Sequence, residues 1–231
     1  MKTYKRLGMM GGTYDPIHYG HLVAAEEARY QLELEKVIFI PAGRPPHKTK
    51  REISAARHRL NITRLAVASN PFFMVSDIEI MKPGLSYAID TVQIFKEQFP
   101  QAELFFITGA DAVFEILSWK RVEELLRLCC FVAATRPGYK LDELSKNIPG
   151  FPINGKKRII TMEVPALAIS STDLRRRVRE GRPIKYLVPE AVEAYILNNN
   201  LYRTPTLTLA LKGGGENAPN PLPQRGRGEC S

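Results

Sequence analysis

The chain has 231 residues, enough for one domain with a sizeable core. Its 44% hydrophobic and 25% charged content is that of an ordinary globular protein, and no apolar stretch approaches the roughly 20 residues that span a bilayer. The formal net charge is +9, and residues 204–231 hold only +1 of it; the remaining surplus suits polyanions, whether nucleotides or nucleic acid. Gly11 and Gly12 cut the first apolar run too short for a signal peptide, and none of the three cysteines has zinc-site spacing, so cytoplasmic residence is expected.

Apolar, β-rich runs recur at residues 7–10, 37–40, 72–75, 104–108, 131–134 and 159–164. Helical patterns lie between them at 22–34, 55–68, 87–99, 122–128 and 141–147, and two more follow at 172–179 and 189–198. Such alternation predicts an α/β fold, a Rossmann-like doubly wound parallel sheet with helices on both faces. Ligands of such sheets bind at the carboxyl ends of the strands. Cys129 and Cys130 read as buried strand residues. Residues 1–203 form the expected domain, whereas 204–231, rich in Gly, Pro, Asn and Arg, read as a disordered tail.

Five clusters fall at strand ends or helix starts. The first is Gly11-Gly12-Thr13-Tyr14-Asp15-Pro16-Ile17-His18-Tyr19-Gly20-His21-Leu22. Its glycines let the backbone approach a ligand, and His18 and His21, three apart at the mouth of a helix, project to one side. Free N–H groups there favour anions, so the imidazoles read as phosphate donors. A bare Gly-Gly turn is the plainer reading, but it leaves the His-x-x-His spacing unexplained. The second, residues 41–48, is stiffened by prolines and presents Arg44, His47 and Lys48, with lysine as a point charge for phosphate. Lys50 and Arg51 read as solvated. In the third, Gly84 to Thr91, Ser86 is the expected N-cap, and the turn at Ser86, Tyr87 and Ala88 can offer N–H groups to a second anion such as a carboxylate.

The fourth cluster is Thr108-Gly109-Ala110-Asp111. Gly109 with Asp111 suits ribose hydroxyls, with helix capping by Asp111 as the competing reading. Trp119 follows, either as core or as a surface for stacking an aromatic ring. The fifth runs from Ile169 to Arg175. Ser170, Ser171 and the Arg175 guanidinium make an anion clamp at a helix start, and Ile169 can lie against a purine. Arg176, Arg177 and Arg179 read as a solvated face.

In this order the clusters resemble the bacterial nicotinate-nucleotide adenylyltransferases of the nucleotidyltransferase superfamily, over about residues 5–202. HYGH at residues 18–21, PPHK, SYxxDT, GADA with a following Trp, RPG at 136–138 and ISSTDLR carry the likeness. It implies adenylyl transfer from ATP to nicotinate mononucleotide, giving deamido-NAD and pyrophosphate, a step of NAD biosynthesis. His18, His21 and Arg175 would be catalytic. Gly11, Gly12, Thr13, Gly109, Asp111, Ile169, Ser170 and Ser171 would join them around ATP. His47, Lys48, Ser86, Tyr87, Ala88 and Trp119 would hold the mononucleotide, with Trp119 on the pyridine ring. Mg²⁺ would arrive with ATP, with no metal held by protein ligands and no nucleic-acid or membrane partner. The family often reads SYT where this chain has Ala88, so one donor to the nicotinate carboxylate is gone. Sibling adenylyl- or cytidylyltransferases, and a non-catalytic nucleotide sensor or RNA-binding protein, are the competing readings.

Overall fold

In β1 (Arg6–Gly12), Leu7 and Met9 are buried in one apolar cluster and Met10 in another. The same alternation recurs in β2 (Lys36–Pro41), β4 (Glu103–Gly109) and β5 (Cys130–Thr135), so these central strands bury side chains on both faces. The protein is described by a computed structural model, over residues 3–45, 53–109, 116–135, 159–165 and 167–203. His47, Lys48, Asp111, the RPG segment, the helix expected at 141–147 and the tail lie outside these residues.

With β3 (Phe73–Val75) and β6 (Ile159–Glu163), the strands form one sheet in the order β3-β2-β1-β4-β5-β6. Every ladder is parallel. This is the doubly wound α/β arrangement expected from the alternating pattern. One face is covered by α1 (Tyr19–Gln31), α2 (Ala56–Val67), α6 (Ser171–Arg179) and α7 (Glu190–Asn198). The opposite face is covered by α4 (Ala88–Gln98) and α5 (Val122–Leu128), through Ile89, Val92, Phe95, Leu125 and Leu126.

Three local expectations need correction. A short helix, α3 (Ile78–Met81), follows β3 where no helix was expected; at four residues it is too short to show a hydrophobic period. Cys129 is not in a strand: it terminates α5, its Sγ 3.4 Å from the Leu125 carbonyl, while Cys130 opens β5. The first helix starts at Tyr19, not near residue 22, because its opening turn is polar and belongs to the site.

Candidate active site

β1 and β4 stay paired only from Arg6↔Glu103 to Met9↔Phe106. Beyond that β1 continues beside β2 as far as Gly12↔Pro41, and β4 beside β5 as far as Gly109↔Ala134. The strand ends therefore part where the winding of the sheet reverses, the place such folds use for ligands. Gly11 and Gly12 border the gap on one side and exposed Gly109 on the other.

From Gly12 the chain turns through Thr13 and Tyr14. Tyr14 is buried at φ 50°, and its hydroxyl donates to the Met10 carbonyl at 2.5 Å. His18 is the N-cap of α1, and its N–H donates to Nδ1 of His21 at 3.2 Å. The two imidazole rings lie 3.8 Å apart, and the edge of Tyr14 packs against His21. With Nδ1 of His21 accepting, its ring proton sits on Nε2. His18 is buried, and its Nδ1 has no hydrogen-bond partner among the described residues. That burial pulls its pKa down to about 4, so the ring is neutral near pH 7. A Cβ on Gly20 would stand 3.0 Å from this Nδ1, so the glycine keeps the edge of the ring clear.

Asp15 ties this loop to distant segments. Its carboxylate accepts from the Tyr202 hydroxyl at 2.8 Å and from the Ser54 N–H at 3.3 Å. Its carbonyl accepts from Nη1 of Arg175 at 2.6 Å. Ser171 donates to the Pro16 carbonyl at 2.8 Å, and Ser170 caps α6 by accepting from the Asp173 N–H at 3.2 Å. The start of α6 is thus laced to the histidine loop. Half-buried Ile169, just ahead of it, packs on the core. Arg176 and Arg177 both pair with Asp173 instead of facing the loop.

Ser86 departs from its expected role. The N-cap of α4 is Tyr87, with no side-chain cap. The Ser86 hydroxyl accepts from the N–H groups of Gly43 at 3.0 Å and Arg44 at 3.2 Å, and bonds the buried Glu79 carboxylate. Thr91 donates to Glu79 at 2.7 Å. Burial raises the Glu79 pKa despite these bonds. A serine just before a helix reads as its cap, whereas the N–H groups that Ser86 accepts from lie more than forty residues away. Ala88 opens α4, half-buried. Lys120 Nζ stands 4.3 Å from the centroid of the Tyr87 ring, joining this turn to the Trp119 segment. Half-buried Trp119 packs edge-on against Phe106 and Phe131, each 5.8 Å away.

The cytidylyltransferase-like family pattern matches residues 9–177, from within β1 to near the end of α6. A protein of Moorella thermoacetica named "probable nicotinate-nucleotide adenylyltransferase" is 57% identical over 199 residues, 86% of this chain and 92% of its own. One of the same name from Thermoanaerobacter is 53% identical over 204 residues, 88% of this chain and 97% of its own. The chain belongs to this family, among the nicotinate-nucleotide adenylyltransferases. In fold it is similar to the Plasmodium falciparum nicotinic acid mononucleotide adenylyltransferase complexed with NaAD, with TM-score 0.71 at 21% identity, covering 86% of this chain and 98% of that one.

This nucleotidyltransferase therefore gathers His18, His21, Ser171 and Arg175 around one loop, beside the gap bordered by Gly11, Gly12 and Gly109. Tyr87, Ala88 and Trp119 stand at the start of α4 and beyond the end of β4. A residue the sequence did not single out is Arg59 of α2, 2% exposed. Its guanidinium donates to the carbonyls of Ser54, Thr13, Ala42 and Gly43 at 2.6–3.1 Å. Among the described residues no group of three His, Cys, Asp or Glu could hold a metal ion, and no helix is long and apolar enough to cross a membrane.

Proposed function

We propose that this enzyme transfers the adenylyl group of ATP to nicotinate mononucleotide, with His18, His21 and Arg175 as the catalytic groups. The observation that carries the reading is the convergence of a closely packed histidine pair and an arginine from α6 on one loop at the parted ends of β1 and β4. The relatives' names supply the substrates.

A general base is not needed, because the attacking phosphate monoester is already mostly dianionic near neutral pH. The barrier comes from bringing two anions together and from charge moving onto the leaving pyrophosphate. Positioned cations and N–H donors supply what that chemistry requires. His21, its proton on Nε2, donates to phosphate oxygens as charge shifts. His18 meets the ligand as a neutral ring, and an approaching phosphate favours its protonated form, strengthening the contact as negative charge builds. Arg175, held by the Asp15 carbonyl, neutralises the phosphate chain. Gly109 faces the adenosine ribose, Ile169 and Ser170 line the adenine pocket, and Trp119 stacks on the pyridine ring; Asp111, His47 and Lys48, which the resemblance assigns to ribose and phosphate, lie outside the described residues.

The donor set is cationic and hydroxylic, and the Asp15 carboxylate is already engaged by Tyr202 and Ser54. That suits a nucleotide bringing Mg²⁺ coordinated by its own phosphates and water, with no cage of protein carboxylates.

The test is pyrophosphate release from ATP with nicotinate or nicotinamide mononucleotide as acceptor, with calorimetry of each ligand. Turnover with the nicotinate compound is expected. Tight binding of both ligands without pyrophosphate release would replace the enzyme with a nucleotide sensor.

A further inference from the structure

The segment Ala42–Arg44 is gripped from two sides by groups to which the proposed chemistry gives no step. From α2, Arg59 donates to the carbonyls of Ala42 at 2.6 Å and Gly43 at 3.1 Å. From the turn before α4, Ser86 accepts the N–H groups of Gly43 and Arg44, and the Ser86 N–H donates to the Arg44 carbonyl at 2.9 Å. Gly43 has no room for a side chain, since a Cβ there would lie 2.0 Å from the Glu79 carbonyl oxygen. The same Nη1 of Arg59 that holds Ala42 also donates to the Thr13 carbonyl at 2.9 Å. Thr13 leads into the histidine loop, and Ala42–Arg44 leads out of β2. A single buried guanidinium therefore spans the two strand-end loops.

This arrangement is costly unless the spacing matters. Burying a cation requires a full set of acceptors. Arg59 meets the requirement with four main-chain carbonyls from three separate segments. Among the described residues no carboxylate bonds it directly; Asp15 and Glu79 act only at longer range. A planar fork sets the directions of several acceptors at once, which a point charge cannot do.

We propose that Arg59, with Ser86 on the far side of the same segment, is a positioning residue for adenylyl transfer, fixing the Ala42–Arg44 loop against Thr13 so that the groups on the two loops face one reaction path. The role rests on the function proposed above. Neither residue touches the reacting atoms. Misplacement by about 1 Å can cost on the order of 10²-fold in rate.

The experiment uses the full chain with Arg59→Lys and Ser86→Ala beside the unaltered enzyme, reading kcat and KM for both substrates together with melting temperature. Arg59→Lys keeps the charge but loses the fork. For each variant kcat is expected to fall roughly 10- to 100-fold, with KM within about threefold and the melt still cooperative. A lowered melting temperature with kcat near that of the unaltered enzyme would reduce Arg59 to a structural residue and overturn the proposal. Should Arg59→Lys fail to fold, Ser86→Ala decides by the same criterion, and an unchanged kcat there overturns it. Absence of turnover in the unaltered enzyme would instead remove the functional reading, and this role with it.

Discussion

The His18 N–H donates to Nδ1 of His21 at 3.2 Å, so the second histidine of the motif orients the N-cap of its own helix. The bond fixes the His21 tautomer and holds the two rings 3.8 Å apart. The spacing of the motif thus follows from helix geometry: an N-cap and its N3 residue face each other across the first turn.

His21→Ala removes a phosphate donor and the acceptor for the His18 N–H. Turnover is expected to fall roughly 10²–10³-fold. The stability cost is about 1 kcal/mol, the size of a lost cap interaction. Pyrophosphate release and a thermal melt measured together check both; a rate near that of the unaltered enzyme removes His21 from the chemistry.

His18 carries a pH signature. Its folded pKa of about 4 lies below the ordinary 6.5, so between those values the unfolded chain binds a proton that the folded chain does not. This contribution is therefore complete above pH 6.5 and is lost as pH falls towards 4, by up to about 3 kcal/mol at 1.36 kcal/mol per unit. Urea unfolding of the unaltered protein and His18→Gln at several pH values from 4.5 to 7.5 isolates the effect. The stability difference between them should shift in favour of His18→Gln as pH falls; parallel curves would contradict the assignment.

Gly43→Ala places a Cβ 2.0 Å from the Glu79 carbonyl oxygen, a main-chain atom that cannot rotate away. The expected loss is about 1–3 kcal/mol, as for overpacking elsewhere. Gly109→Ala, where a Cβ meets nothing within 4 Å, is the control and should melt as the unaltered protein does. Equal melting temperatures for the two variants would mean that the segment after β2 yields easily.

Ala88→Thr restores a hydroxyl at the first residue of α4. One added hydrogen bond to a carboxylate is worth roughly 1.5–3 kcal/mol, so the ratio of kcat/KM for nicotinate over nicotinamide mononucleotide should rise at least about tenfold. An unchanged ratio would place acid recognition elsewhere.

The sheet was legible because each strand is a short apolar run followed by a helical pattern, and parallel pairing follows from that alternation. The histidine loop was legible because its residue types are uncommon together. Arg59 was not, since in ARHRLNITR it is one of three arginines on an amphipathic helix, and only the four carbonyls brought from elsewhere distinguish it. Ser86 was misread for a related reason: a serine before a helix has a local role available, and local patterns do not reveal a partner on another strand end. Cys129 reads as strand and ends a helix because an apolar pair at a helix–strand junction carries no boundary signal.

Tyr202 is distant from the histidine motif in sequence, yet its hydroxyl bolts Asp15, the residue whose carbonyl carries Arg175. The far end of the domain is therefore part of the machinery at its beginning. An expression boundary drawn immediately ahead of residue 202 would spare every motif residue and still take a fastening from the loop they depend on, so such a variant should lose turnover.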